Sequence, residues 1–534
     1  MFSGHSLATA AAVGLPPYTG TFDRERAGHL LRRAVFGPTL DEIDAAVRDG
    51  LSSTLGTLFA PASAPSPPLN HYFERDPNVP VGRTWVNSPF VSNANVEPYR
   101  SESLRGWFVN NLFNSRTNIT EKMVVFWMNH FGVADGFEHR AQYGYINLLY
   151  RYALGNFRDL IKEITVDPAM LHFLNGRFNY LDAPDENYAR ELLELFTIQK
   201  GRPGDVNYTE QDIREIARIL TGWRVRNFWG RENRPVETYW EDSWHDKGTK
   251  RLSEHFDNAV IENGGPNEYK QLIDIIFRHR EAPRAICRDL YIYFVGHEID
   301  DRIEREVITP LSQLLLANDF NLRPVVYNLL GSNHFFQDAH RGTIIKNPHD
   351  YLASMVRPMG GFTHLNAGLE LSYRLAHAYH LLAAKMDMDI MQPPSVSGWK
   401  AYYQRPAFYR SWISSTTLQQ RRRAVEEICR EGVWAIDRGH PFDWLGYLNR
   451  LPRPSEVNFV IEDTLTVFLP RPAHPDQVKG LKEILLPGLP DFEWTIEYRN
   501  YREQPDDPER SVPLTNKLRD FFRAIFSMAE FHLQ

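Results

Sequence analysis

The chain has 534 residues, 43% hydrophobic and 24% charged, which is ordinary globular composition and enough to bury a large core. A net charge of −7 argues against a nucleic-acid footprint, and the one basic cluster, Arg421, Arg422 and Arg423, suits a solvated helix face. Two cysteines, Cys287 and Cys429, exclude a disulfide framework and read as buried free thiols; no run approaches the ~20 apolar residues that cross a bilayer.

Residues 1–20 read as an N-terminal extension whose apolar piece, Leu7 to Leu15, lacks the preceding Lys or Arg of a secretory leader. Helix is predicted from Asp23, a candidate N-cap, to Val35. Thr39 and Glu42 form a capping-box pair for a second helix, Leu40 to Val47. Residues 60–98, rich in Pro, Asn and Ser, form a long irregular excursion over the body. Helical patterning resumes from Tyr99 to Phe131, where Met123, Phe126, Trp127 and His130 share a face, and continues over Gln142–Ala153 and Phe157–Val166. Residues 224–256 read as a polar aromatic loop with a small hairpin. Helices follow over Asn267–Phe294, Arg302–Leu316, Thr343–Met359, Leu369–Met386, Thr416–Glu431 and Val512–Met528. The expectation is a mainly α, large multi-helix globular fold with long irregular loops and little β. On this reading a helical core domain spans 21–430, with 60–98 and 224–256 inserted, and a C-terminal helical subdomain, 431–534, packs on it.

The densest chemistry lies between Glu186 and Trp223. In the first helix of that stretch Ala189, Leu192, Leu193 and Phe196 make an apolar stripe, while Asn187, Arg190, Glu191 and Glu194 make the opposite one. The second starts at a Thr209–Asp212 capping box, turns Ile213, Ile216, Ala217 and Leu220 inward, carries Asp212, Glu215 and Arg218 on another side, and ends at Gly222 and Trp223. The loop between them holds Gly201, Pro203 and Gly204, so the helices can lie antiparallel with their acidic stripes facing in one seam. Carboxylates beside a guanidinium can hold a cation, orient a water or share a proton. They equally describe a solvated face worth roughly 0.2–0.5 kcal/mol per pair.

His130, His245 and Asp246 are the candidate metal ligands, since imidazole plus carboxylate suits zinc, iron or manganese, and a divalent metal is the cofactor such a set would take. The bland reading makes His130 a hydrogen-bonded core residue and His245-Asp246-Lys247-Gly248 a turn, with Lys250 pairing with Asp246. No HExxH, CxxC, Walker loop, GxSxG elbow or Glu-x-x-His pair accompanies them.

HLLRRAVFGPT, FWMNHF, ENYARELLELFTI, YTEQDIREIARILTGW, HDKGTK and PPSVSGW stand here in one order, and that order resembles the domain of unknown function 1800 family over about residues 18–534. AYYQRPAFYRSWISSTTLQQR and LLPGLPDFEWTIEYRNY resemble a branch common in Bacteroidetes. The chain departs from the family pattern at Met386-Asp387-Met388 and at His279 to Pro283. The resemblance implies a bacterial, often exported protein, periplasmic or extracellular, and brings no reaction with it. Its genes often neighbour another uncharacterised family, number 1501, related to sulfatases and alkaline phosphatases, which would supply the protein partner.

Two functions fit. One is a scaffold or partner for an envelope or extracellular enzyme system, its charges forming a buried ion network. The other is a hydrolytic, metal-assisted enzyme, with Glu191, Glu194, Asp212 and Glu215 as catalytic carboxylates and Arg190, Lys250, Trp223 and Trp399 as binding residues.

Overall fold

A computed structural model describes residues 14–92, 95–134, 136, 138–201, 205–362, 365, 367–399 and 409–534. The opening residues 1–13, Pro203 and Gly204 of the inter-helix loop, and 400–408 of the AYYQRPAFYRSW stretch lie outside the described residues.

The fold is mainly α, and the strands among the described residues form three antiparallel two-stranded ribbons. Local signals set many helix starts. Asp23 caps Arg24–Ala34 by accepting the Arg26 N–H at 3.0 Å. Thr39 and Glu42 form the expected reciprocal box, but the helix runs past Val47 to Leu58 by bending at Gly50. The stretch expected from Tyr99 to Phe131 is two helices, Val96–Phe113 and Thr120–His130, because the Asn118 side chain accepts from the Thr120 N–H and restarts the chain. Likewise Asn267–Phe294 is interrupted between Glu268–Ile276 and Glu281–Phe294.

The excursion before Val96 is anchored. Trp85 is fully buried and donates its indole N–H to Ser103 Oγ at 3.0 Å, and the Tyr99 hydroxyl accepts the main-chain N–H of His71 and of Tyr72. Of the C-terminal region expected to be helical, sequence patterning delimits only Val512–Met528; helices Val457–Phe468, Pro475–Leu485 and Asp491–Glu503 precede it. One apolar cluster runs from Leu15 to Phe531, so tail and body share a core. The Arg24 guanidinium reaches Asp463 at 2.8 Å across it. Both cysteines are free and buried, and burial pushes the Cys429 thiol up to about 12. Among the described residues no helix is long and apolar enough to cross a membrane.

Candidate functional site

Asp185 opens helix Glu186–Glu191 by accepting the Asn187 N–H at 2.8 Å, and the helix continues through Leu192–Thr197 as π-helical turns. Ala189, Leu192, Leu193 and Phe196 are all 0% exposed, the stripe expected from spacing. On the other face Arg190 makes a bidentate pair with Glu210 of the next helix, at 2.8 and 3.0 Å. The Glu210 hydrogen bonds, against the opposing effect of burial, hold the Arg190 guanidinium above its ordinary value. Glu194 accepts from Lys200 at 2.8 Å and lies 3.5 Å from Arg190. Glu191 is half-buried and has no ion-pair or hydrogen-bond partner among the described residues; burial, then the Glu194 charge, raises its carboxyl above the usual range.

Helix Glu210–Ile219 starts at the expected Thr209–Asp212 box. That box decides where Asp212 points. Its carboxylate accepts from the Thr209 main chain at 2.8 Å and from the Ser253 N–H and hydroxyl, each at 2.7 Å. Glu215 accepts from Arg218 at 2.7 Å, Gln211 at 2.9 Å and the Arg251 N–H at 3.1 Å. The expected common seam is therefore replaced by two networks. Glu194 answers to Arg190 and Lys200, whereas Asp212, oriented by its place in the capping box, and Glu215, three residues on, turn to the segment 251–253.

Past Gly222, at φ +96°, the chain becomes strand Trp223–Arg226, paired with Glu237–Trp240 in the expected hairpin. Trp223 packs edge-on to Trp240 and Tyr269 and borders a cavity of about 10 Å³ with Tyr188, Asn179 and Asp185. The Asp246 carboxylate is held by Arg218 at 2.7 and 3.2 Å, so Lys250 pairs elsewhere: it donates to the Asp246 main-chain carbonyl and to Glu268 at 2.7 Å. His245 Nε2 meets the other Glu268 oxygen at 2.9 Å, and the three side chains are 0% exposed. Burial works against the Glu268 charge, but hydrogen bonds from His245, Lys250 and the Gly264 N–H outweigh it and hold the carboxyl below its ordinary value. Nothing in the spacing of HDKGTK marks Glu268, which opens the helix Glu268–Ile276.

His130 is elsewhere, with Nε2 3.2 Å from the Phe196 carbonyl and Nδ1 3.4 Å from Asp289, among Phe126, Trp127 and Phe131. Among the described residues no three or more His, Cys, Asp and Glu side chains are arranged to hold a metal ion, so His130, His245 and Asp246 make no common centre. Trp399 is buried, and its main-chain N–H donates to Asn129 Oδ1 at 3.0 Å, joining PPSVSGW to FWMNHF.

A second polar cluster escaped sequence reasoning. His71 lies 3.8 Å from Glu102, the rings of His377 and His380 stack at 5.8 Å, and those of His380 and His349 at 6.1 Å. His380 reaches Asp389 at 3.3 Å, beside Arg105. His349 is fully buried, with neither ring nitrogen in a hydrogen bond among the described residues, and burial drives it down to about 3 and His377 to about 4. His377 and His380 are three apart on helix Leu369–Lys385, but His71, Glu102, His349 and Asp389 come from other segments, and no spacing links them.

No curated protein and no solved structure matches the chain. The model of one family, described as Protein of unknown function (DUF1800), matches residues 29–526. That span takes in His245, Lys250 and Glu268, the Asn129–Trp399 link and the histidine cluster, and it is nearly the whole sequence; the chain belongs to this family.

Proposed function

We propose that this chain is a non-catalytic scaffold or partner protein, and that its charged motifs are architectural. The observation that carries the reading is the Glu268–His245–Lys250 triad. All three side chains are 0% exposed and satisfy one another, tying the segment after the hairpin to helix Glu268–Ile276. Asp212 and Glu215 tie the same segment to helix Glu210–Ile219. A reacting group must reach substrate, whereas the triad side chains are closed off from solvent and Asp212 and Glu215 are buried. A role beside an exported, sulfatase-like enzyme rests on the gene neighbourhood that comes with the family resemblance.

One observation favours the hydrolytic alternative. Glu191 is a half-buried carboxyl with a raised pKa beside Glu194, the condition of a proton-transferring acid. Metal analysis of the purified chain and an assay with aryl sulfate and aryl phosphate esters decide between them. The scaffold reading expects substoichiometric metal and no turnover. Stoichiometric zinc, manganese, iron or calcium that disappears in His245→Ala, or turnover that disappears in Glu191→Gln, overturns it.

A further inference from the structure

The face formed by residues 177–181 and the hairpin beside them has a composition that the interior does not explain. Phe178, Tyr180, Leu181 and Trp229 are 53, 38, 40 and 44% exposed. Two arginines lie among them. The Arg177 guanidinium sits 4.6 Å from the Phe178 ring, 5.5 Å from Phe228 and 5.7 Å from Trp229. Arg224 lies 3.5 Å over Trp244, which in turn contacts Tyr180 at 5.3 Å. Among the described residues neither arginine has a carboxylate partner, in a chain whose net charge is −7 and whose other motif arginines, Arg190 and Arg218, are paired. The nearby exposed pairs Asp242–Lys247 and Arg226–Glu237 neutralise themselves, which leaves Asp182 as the one opposing charge on the 180–183 turn.

The backbone holds this face in place at a cost. Asn175, Asn227 and Trp229 all take positive φ, at 61°, 61° and 57°. For a residue as bulky as tryptophan that is an outlier, and such strain concentrates where a side chain must be aimed. The Trp229 N–H is pinned by Glu138 Oε2 at 2.8 Å, and Glu138 is itself buried in a bidentate pair with Arg140. A buried ion pair thus presents an exposed indole.

We infer that this arginine–aromatic face is the docking surface for a carboxylate-bearing, apolar-flanked segment of a partner protein. The inference rests on the scaffold reading and names the chemistry of its partner. Arg, Trp and Tyr dominate the energetics of protein interfaces. Arginines already stacked on rings lose little freedom on binding and keep their N–H edges for bidentate carboxylate recognition. Exposed Phe178 and Leu181 offer apolar contact without polar edges, which favours a protein segment over a saccharide.

The test uses the full chain and synthetic peptides in which two Asp or Glu residues flank Leu or Trp, with amide (Asn/Gln) and Lys counterparts as controls, read by fluorescence anisotropy. The acidic peptides should bind and the controls should not. Arg177→Glu and Arg224→Glu should each weaken binding about tenfold or more, a loss of about 1.4 kcal/mol per decade, with Trp229→Ala acting in the same direction. Thermal melts identify any variant that fails to fold, and Arg224→Glu alone then carries the test. Equal binding by acidic and amide peptides, or unchanged binding in folded arginine variants, overturns the inference. So does an acidic polysaccharide such as alginate that displaces the peptide through the same arginines, which would make the face a glycan site. Metal or ester turnover would sink the scaffold reading without altering these peptide affinities, so the two failures are distinguishable.

Discussion

Glu268→Ala tests the architectural reading most directly. The carboxylate accepts from Lys250 Nζ at 2.7 Å, His245 Nε2 at 2.9 Å and the Gly264 N–H at 3.0 Å. Alanine leaves an ammonium that is 0% exposed without a counter-charge. Breaking a buried pair from one side costs about 3–5 kcal/mol, because the surviving charge stays desolvated. Glu268→Gln keeps the volume and one acceptor, and should cost about 1–3 kcal/mol, the penalty for a buried donor left facing an amide N–H₂. Glu268→Leu combined with Lys250→Met removes both charges and should recover much of the loss, since a buried ion pair and an apolar pair of similar volume are close in free energy. A guanidinium titration followed by tryptophan fluorescence reads the change. Because a chain of 534 residues can unfold in stages, amide exchange over residues 221–268 locates it. A change below about 0.5 kcal/mol in Glu268→Ala, or a double variant no more stable than the single one, would refute the reasoning.

Three further outcomes follow from the packing and the titrating groups. Leu193→Ala, at a site with 0% exposure on the π-helical turns, should lower unfolding free energy by about 2–5 kcal/mol; less than ~0.5 would contradict the assigned inward face. His349→Phe should raise the melting temperature and flatten its fall in acid. The unfolded chain protonates near pH 6.5, whereas burial holds native His349 near 3, so its contribution is complete above about pH 6.5 and lost as pH falls toward the native value. Glu121 and Asp167, pushed up to about 7 by burial, act in the opposite sense, so the difference between wild type and variant over pH 5–8 is the readout, and parallel curves would exclude His349. In Gly398→Ala a new Cβ would sit 2.2 Å from Asn129 Oδ1 at a φ of +79°, which should break the Asn129–Trp399 link and shift Trp399 emission to the red; an unchanged spectrum and melting temperature would count against that junction.

What was legible from residue spacing was local. The capping boxes at Thr39 and Thr209, the apolar stripe through Leu193, the hairpin after Trp223 and the buried cysteines all depend on neighbours within a few positions. The mainly α fold follows from those periods, since a helix buries whatever face recurs every three to four residues. The partners of the polar groups were not legible. Lys250 passed over the Asp246 carboxylate for Glu268, eighteen positions on, because Arg218 already held Asp246. Asp212 was drawn to Ser253, and His71 was brought near Glu102 while His377, His380 and His349 stacked in a row. Spacing fixes which side of a helix a charge leaves by; which opposite charge waits there depends on how the helices pack, and only the assembled core brings those groups within reach.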